Sequence, residues 1–362
     1  MENGKWKNTL ISHTVKKAFI VIVALCLLLI PLASGCRPTE VVNVYNWGEY
    51  IDESIFRDFE NETGIRVNYS TYETNAQIYA LLNRGGANVD VIIPSDYMVA
   101  RMIDEDMLEE LDFSNIPNFS LIDERYKGLD FDPDDRFSVA YMTGTVGLIY
   151  NSALIPYDIT SWNALWDERF DDQILMFDNQ RDAFGIALKY LGYYQNTINE
   201  SEIREAFELL VRQRPLLQAY VMDQIFVKLE SGEAWLGPYY AGDYFVMREN
   251  NPDLRFVRPV EGSNFFVDSM CIPKGAANKT NAELFINFMS STDIALRNME
   301  YIWYASANAD AAAIFAQEQE LSPEDYEVLF ASDVTLANSD VFTHLPAQIL
   351  ELYDQLWVEL KR

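Results

Sequence analysis

From Val41 onward, short apolar runs alternate with amphipathic stretches of helical period, and this alternation constrains the fold more than any other feature of the chain. "VVNVYN" reads as a buried strand. The next stretch can be capped by Asp52, carries Ile55, Phe56 and Phe59 on one face, and can end at Gly64. "IRVNYS" is the next strand and "NAQIYALLNRGG" the next helix, with Ile78, Leu81 and Leu82 apolar and two glycines as its stop. "VDVIIPS" is a strand ended by Pro94, and "DYMVARMIDEDML" is helical again. Strands separated by helices of this length predict an α/β fold, its sheet parallel with right-handed crossovers.

The pattern restarts after about residue 145. "QILMF", "PLLQAYV", "EAWLG", "LRFVRP" and "FFVDSMCIP" read as strands. "RDAFGIALKYLGYY", "DQIFVKLESG", "AGDYFVMRENN", "NAELFINFMSS" and "AQILELYDQLWVELK" read as helices. "ESEIREAFELLVRQ" is a further helix, with Ile203, Phe207, Leu210 and Val211 on one side. The 362 residues, 49% of them hydrophobic, suffice for two domains with real cores. No Gly/Ser/Pro linker separates them, so the chain is expected to cross between domains more than once.

The first strand runs into "VYNWGEY". In an open α/β sheet the strand-to-helix turn is where ligands bind. A ligand suited to both aromatic faces and carboxylates is a cation with an apolar body. The charge balance agrees, with 56 acids against 27 bases and a net charge of −29. Nucleic acid is excluded as a partner, because phosphate binding needs basic surface. The acidity suits a cationic ligand or simply a soluble surface.

The N-terminus has Lys5, Lys7, Lys16 and Lys17, then "AFIVIVALCLLLIPLA", an apolar run shorter than a typical membrane span. Positive start, short apolar core and small residues describe a secretory signal over residues 1–35; the alternatives are a signal anchor or a buried segment. Leu32-Ala33-Ser34-Gly35-Cys36 resembles the lipobox of bacterial lipoproteins, which implies acylation of Cys36 and an anchor on the outer face of the cell membrane or in the periplasm. Removing residues 1–35 takes away four lysines and one glutamate, leaving 23 bases against 55 acids. Only Cys271 then remains in the body, so no internal disulfide is possible there. The two histidines are His13 and His344, which excludes a multi-His zinc site and requires any Ser-His-Asp triad to use His344. No phosphate-loop or dinucleotide glycine fingerprint occurs, and no cofactor is expected.

Collinear blocks carry a resemblance from about Val42 to the C-terminus: "YNWGEY", "FENETGIRVNYSTYETN", "VDVIIPSDYMV", "ITSWNALWDERF", "VEGSNFFVDSMCIPKGAANK" and "WYASANADA". They resemble the bacterial spermidine/putrescine-binding proteins, the extracytoplasmic receptors of polyamine ABC importers. The resemblance implies a two-lobe periplasmic-binding-protein-like fold of type II that closes like a hinge. One lobe would be residues 37–142 with 263–310, the other 145–260 with 311–362. Crossovers would lie near Met142-Thr143-Gly144 and Gly262-Ser263. It also implies a monomer that delivers its ligand to membrane permease subunits, and no enzyme activity.

A polyamine needs acids at intervals and flat apolar walls between them. By similarity Trp47, Glu49 and Tyr50 form one wall, and Ser95 and Tyr97 a second. Asp182, in "DNQRDAF", matches an acid of the family, whereas Asn179 stands where the spermidine-preferring pattern has Asp. Tyr240 matches an aromatic position, and Asp243 an acid of the putrescine-preferring branch. Phe266 and Asp268, in "NFFVDSM", form the strongest pair, since an acid alternating with aromatics inside a strand is poorly buried without a cation. Tyr304 matches another cleft residue, a polar contact falls near Thr343, and Asp96 is expected to add charge at the mouth. Bound ammonium groups should keep the carboxylates ionised, so binding should weaken in acid. The rival readings are a glycoside hydrolase using paired carboxylates, a binding protein for another cationic solute, and a polyamine sensor.

Overall fold

A computed structural model describes residues 40–85 and 88–362; the signal reading for residues 1–35 and the lipidation reading for Cys36 lie outside the described residues. Eleven strands among these residues form one hydrogen-bonded sheet system. They are β1 (Val41–Trp47), β2 (Arg66–Tyr72), β3 (Val91–Ile92), β4 (Ser138–Asn151), β5 (Ile174–Phe177), β6 (Leu217–Val221), β7 (Leu236–Tyr240), β8 (Leu254–Val257), β9 (Ser263–Cys271), β10 (Ala305–Ser306) and β11 (Ser339–Asp340). The main order is β2-β1-β3-β9-β4-β7-β5-β6.

The sequence pattern predicts a parallel sheet; the sheet is mixed. β1 pairs in parallel with β2 and β3, and β5 with β6 and β7, as strands joined by helices must. β9 and β4, however, run antiparallel to their neighbours in this main order and join the two parallel sets. β4 is the pivotal element. Its residues Ser138–Thr145 pair with β9, Val146–Tyr150 with β7, and Leu148–Asn151 with β8. All fourteen β4 residues are buried, so no period of two marks it in the sequence.

The helices form where the pattern places them, with local differences. The first, Ile55–Thr63, buries Ile55 and Phe59 and ends at Gly64, whose φ of +75° is the left-handed stop that glycine permits. Its N-cap is Ser54 rather than Asp52; the Asp52 carboxylate instead accepts the Ser54 backbone N–H at 2.9 Å. Helix Glu200–Gln213 buries Ile203, Ala206, Leu209, Leu210 and Gln213. Val211, expected on that face, is 44% exposed. "EAWLG" starts too early as a strand, because the ladder begins at Leu236.

Large apolar side chains hold the fold together. Trp162, Phe59, Phe177, Phe184, Phe285 and Phe315 are fully buried, each contributing about 1.5–3 kcal/mol by leaving water. Trp162 also donates its indole N–H to the Gly262 carbonyl at 2.8 Å, pinning the turn into β9.

Candidate functional site

The sheet brings together side chains far apart in sequence. β1 ends at Trp47, so Tyr50 lies just beyond its carboxyl end, and Ser95 and Tyr97 follow β3 in the same way. β9 passes antiparallel to them, and Asp268 forms an isolated bridge with Ser95. β5 and β7 each lead into a helix with an acid in its first turn: Asp182 in Gln180–Tyr190 and Asp243 in Ala241–Asn250. The helix dipole favours an acid at both places. Tyr240 is the last residue of β7, and Tyr304 sits between helix Thr292–Ile302 and β10.

Three tyrosine–carboxyl pairs result. The Tyr50 hydroxyl donates to Asp268 Oδ2 at 2.8 Å, Tyr240 to Asp182 Oδ2 at 3.2 Å, and Tyr304 to Asp243 Oδ2 at 2.7 Å. Their rings are continuous. Tyr240 meets Phe266 at 5.5 Å between centroids, Phe266 meets Tyr304 at 6.1 Å, and Tyr304 meets Tyr50 at 5.2 Å. Glycines let these rings in: a Cβ on Gly144 would stand 2.6 Å from Phe266 Cζ, and one on Gly242 would stand 2.3 Å from Tyr304 Cδ2.

The electrostatics are those of carboxyls short of partners. Asp182 and Asp268 are buried, at 5% and 6% exposure, while Asp243 keeps partial access to solvent. Burial pushes Asp182 up to about 7, against the lowering effects of the Tyr240 hydroxyl and the Arg181 charge. Burial likewise pushes Asp243 up to about 7, and Asp268 up to about 6 against the lowering effects of the Tyr50 hydroxyl and the nearby Ser95 side chain. Asp268 Oδ1 is buried and has no hydrogen-bond partner among the described residues. A buried carboxylate normally takes several donors, so this oxygen is free for a donor from outside the chain.

Other expected residues stand differently. The Trp47 indole N–H donates to the Ile93 carbonyl at 2.7 Å, and its ring packs 4.6 Å from that of Tyr72, so part of its surface is held in the structure. The Tyr97 hydroxyl accepts from Asn75 Nδ2 at 2.9 Å. Glu49 is exposed, has φ +50°, and accepts from the Tyr301 hydroxyl at 3.3 Å; this contact is outside the three pairs. Asp96 does not add charge at a mouth. It is 1% exposed, with one oxygen accepting the Tyr97 backbone N–H at 2.6 Å and the other that of Val267 at 3.1 Å. Burial raises its pKa well above the usual carboxyl value, and its two hydrogen bonds tie a helix start to β9. Asn179 caps its helix by accepting the Arg181 backbone N–H at 3.1 Å. His344 Nδ1 lies 3.1 Å from Asp104 Oδ2 in an exposed contact, apart from the three pairs.

Sequence reasoning missed Arg181 and Phe342. Arg181 is buried beside Asp182, with its guanidinium carbon 4.5 Å from the Phe342 ring centroid. A basic residue in a helix's first turn reads as solvated, and Phe342 lies in an aperiodic segment far along the chain, so neither carried a signal.

A profile described as "Bacterial extracellular solute-binding protein" matches residues 54–327. The spermidine/putrescine-binding periplasmic protein of Salmonella typhimurium is 36% identical over 289 residues, covering 79% of this chain and 83% of that one. Its Escherichia coli counterpart is 34% identical over 322 residues, covering 88% and 90%. A solved structure described as a spermidine/putrescine ABC transporter from Listeria monocytogenes superposes with a TM-score of 0.84 at 36% identity, covering 89% of this chain and 99% of that one.

Proposed function

The chain belongs to the bacterial extracellular solute-binding proteins, and from that premise we propose that it captures a polyamine, putrescine or spermidine, for an ABC importer. The family places its members outside the cytoplasm and in solute transport rather than catalysis. The observation that carries the polyamine reading is the set of three buried or part-buried tyrosine–carboxyl pairs on one continuous run of rings, with Asp268 Oδ1 unpartnered. Ammonium groups supply the missing donors and charge, and the ring faces receive both the methylenes and the cations.

Ligand contacts come from Tyr50, Asp182, Tyr240, Asp243, Phe266, Asp268 and Tyr304, with Trp47, Ser95 and Tyr97 flanking them. Glu49 acts at the rim. The lobes are residues 37–142 with 263–310 and 145–260 with 311–362. Supporting this division, β4 changes partners from β9 to β7 between Thr145 and Val146. Gly262, before β9, takes φ +93°, where a Cβ would stand 2.2 Å from the Asn338 carbonyl oxygen. Closure brings Asp243 of one lobe to Tyr304 of the other. Acylation at Cys36 holds the receptor at the membrane, where it presents the closed form to permease subunits as a monomer.

The test is calorimetric titration of the fragment from Arg37 onward, unfolded and refolded to strip bound ligand. Putrescine and spermidine are compared with 1,4-butanediol, which has putrescine's carbon chain without its charges. One-to-one binding of an amine and none of the diol is expected. Heat from neither amine would sink the polyamine reading and point to another cationic solute.

A further inference from the structure

Arg181 is the one strongly basic group built into the described site; its charge favours the ionised form of Asp182, but its side-chain hydrogen bonds go to none of the three pairs. It is 6% exposed. Its two side-chain hydrogen bonds go to neutral acceptors, the Thr343 carbonyl at 3.3 Å and Asn196 Oδ1 at 2.9 Å. Aromatic faces flank it, with its guanidinium carbon 4.5 Å from the Phe342 centroid and 5.4 Å from that of Tyr97, and the Asp96 and Asp182 carboxyls are near enough to act on its charge. Those two rings pack edge to face at 6.1 Å. Arg181 therefore sits as a cation on aromatic faces, next to Asp182 in sequence, in the arrangement that a ligand ammonium would otherwise take. A guanidinium does not deprotonate in a protein, so the charge is permanent.

We propose that Arg181 is a specificity-determining residue of this site: a resident cation that occupies the Tyr97/Phe342 seat, closes the Asp182 end, and limits the ligand to one ammonium per Tyr–Asp pair. An ammonium beyond the Asp182 position meets a like charge that is itself buried. Tyr97, matched by family resemblance to a ligand wall, faces the ligand through this guanidinium. The proposal rests on the polyamine reading above.

The test uses the fragment from Arg37 onward and ligands of graded charge. Spermine has one ammonium more than spermidine. N8-butylspermidine has spermine's length but a methyl where its last ammonium stands. In the wild-type protein N8-butylspermidine should bind at least roughly tenfold tighter than spermine, because only the charge differs. In Arg181→Met the spermine-to-spermidine affinity ratio should rise by at least roughly tenfold. Spermine binding as tightly as its butyl analogue overturns the proposal, as does an unchanged ratio in a folded Arg181→Met protein. Failure of both long ligands to bind, where putrescine binds, places the limit on length and overturns it too. If Arg181→Met does not fold, the wild-type comparison decides alone. If putrescine, spermidine and the long ligands all fail, the polyamine reading itself has failed.

Discussion

Lowering the pH from 8 to 5 should remove most of the ligand affinity, and the size of the loss follows from the buried carboxyls. With the lobes closed and no ligand bound, burial holds Asp182 near 7 and Asp268 near 6. Bound ammonium groups return both to the ionised state, so the complex carries fewer protons and binding releases them. At pH 5 a group with pKa near 7 is ionised in roughly one molecule in a hundred, and one near 6 in roughly one in ten. Ionising both at once costs roughly 10³-fold in affinity relative to pH 8, or about 4 kcal/mol. Asp243, also near 7, keeps solvent access and is discounted, so it only adds to the loss. Folding stability has the opposite sign. A carboxyl whose folded pKa is raised stabilises the fold most below its unfolded value, and that contribution is lost as pH rises through 6 to 7. The ligand-free protein should therefore be stabler, from these groups, at the pH where it binds worst. Calorimetry at pH 5, 6, 7 and 8, in buffers of different ionisation enthalpy, reads affinity and proton release together. Affinity constant within threefold across that range, with no protons released, would refute the reasoning.

Three further outcomes are expected. Gly242→Ala places a Cβ 2.3 Å from Tyr304 Cδ2 and 2.7 Å from the Trp303 carbonyl. It should cost about 1–3 kcal/mol, read as weaker putrescine binding in titration; unchanged affinity would show that Tyr304 need not approach this helix. Tyr50→Phe removes a hydrogen bond that holds Asp268 down, so the acid limb of the affinity profile should move to higher pH, and a limb that stays in place would contradict the pairing. Trp162→Ala empties a fully buried site and removes the bond to Gly262. A loss of about 3–5 kcal/mol in denaturant unfolding is expected, and a loss below about 1 kcal/mol would show that the turn into β9 is held by other contacts.

The parts of the fold legible in the sequence are those with one buried face. The first helix shows Ile55 and Phe59 at helical spacing because its other side is wet. β4 shows nothing comparable, since every one of its residues is buried, and without it the mixed character of the sheet stays hidden. Phe266 and Asp268 stood out because an acid among strand aromatics conflicts with ordinary burial, and the structure does bury Asp268, with the Tyr50 hydroxyl donating to it. Asp96 misled for the converse reason: its charge suggests solvent, yet two backbone N–H groups satisfy it inside. Arg181 depends on Phe342 and Tyr97, partners that only the tertiary fold supplies.

The measurement closest to the central claim is titration of Asp268→Asn with putrescine and spermidine beside the wild type. The substitution keeps the side chain's shape and a partner for the Tyr50 hydroxyl, and removes only the charge behind the unpartnered Oδ1. The account predicts affinity lower by at least roughly 100-fold for both amines, in a protein that melts no earlier than wild type. Wild-type affinity in the folded variant would mean that the amine is held elsewhere, and the three tyrosine–carboxyl pairs would lose their claim to be the site.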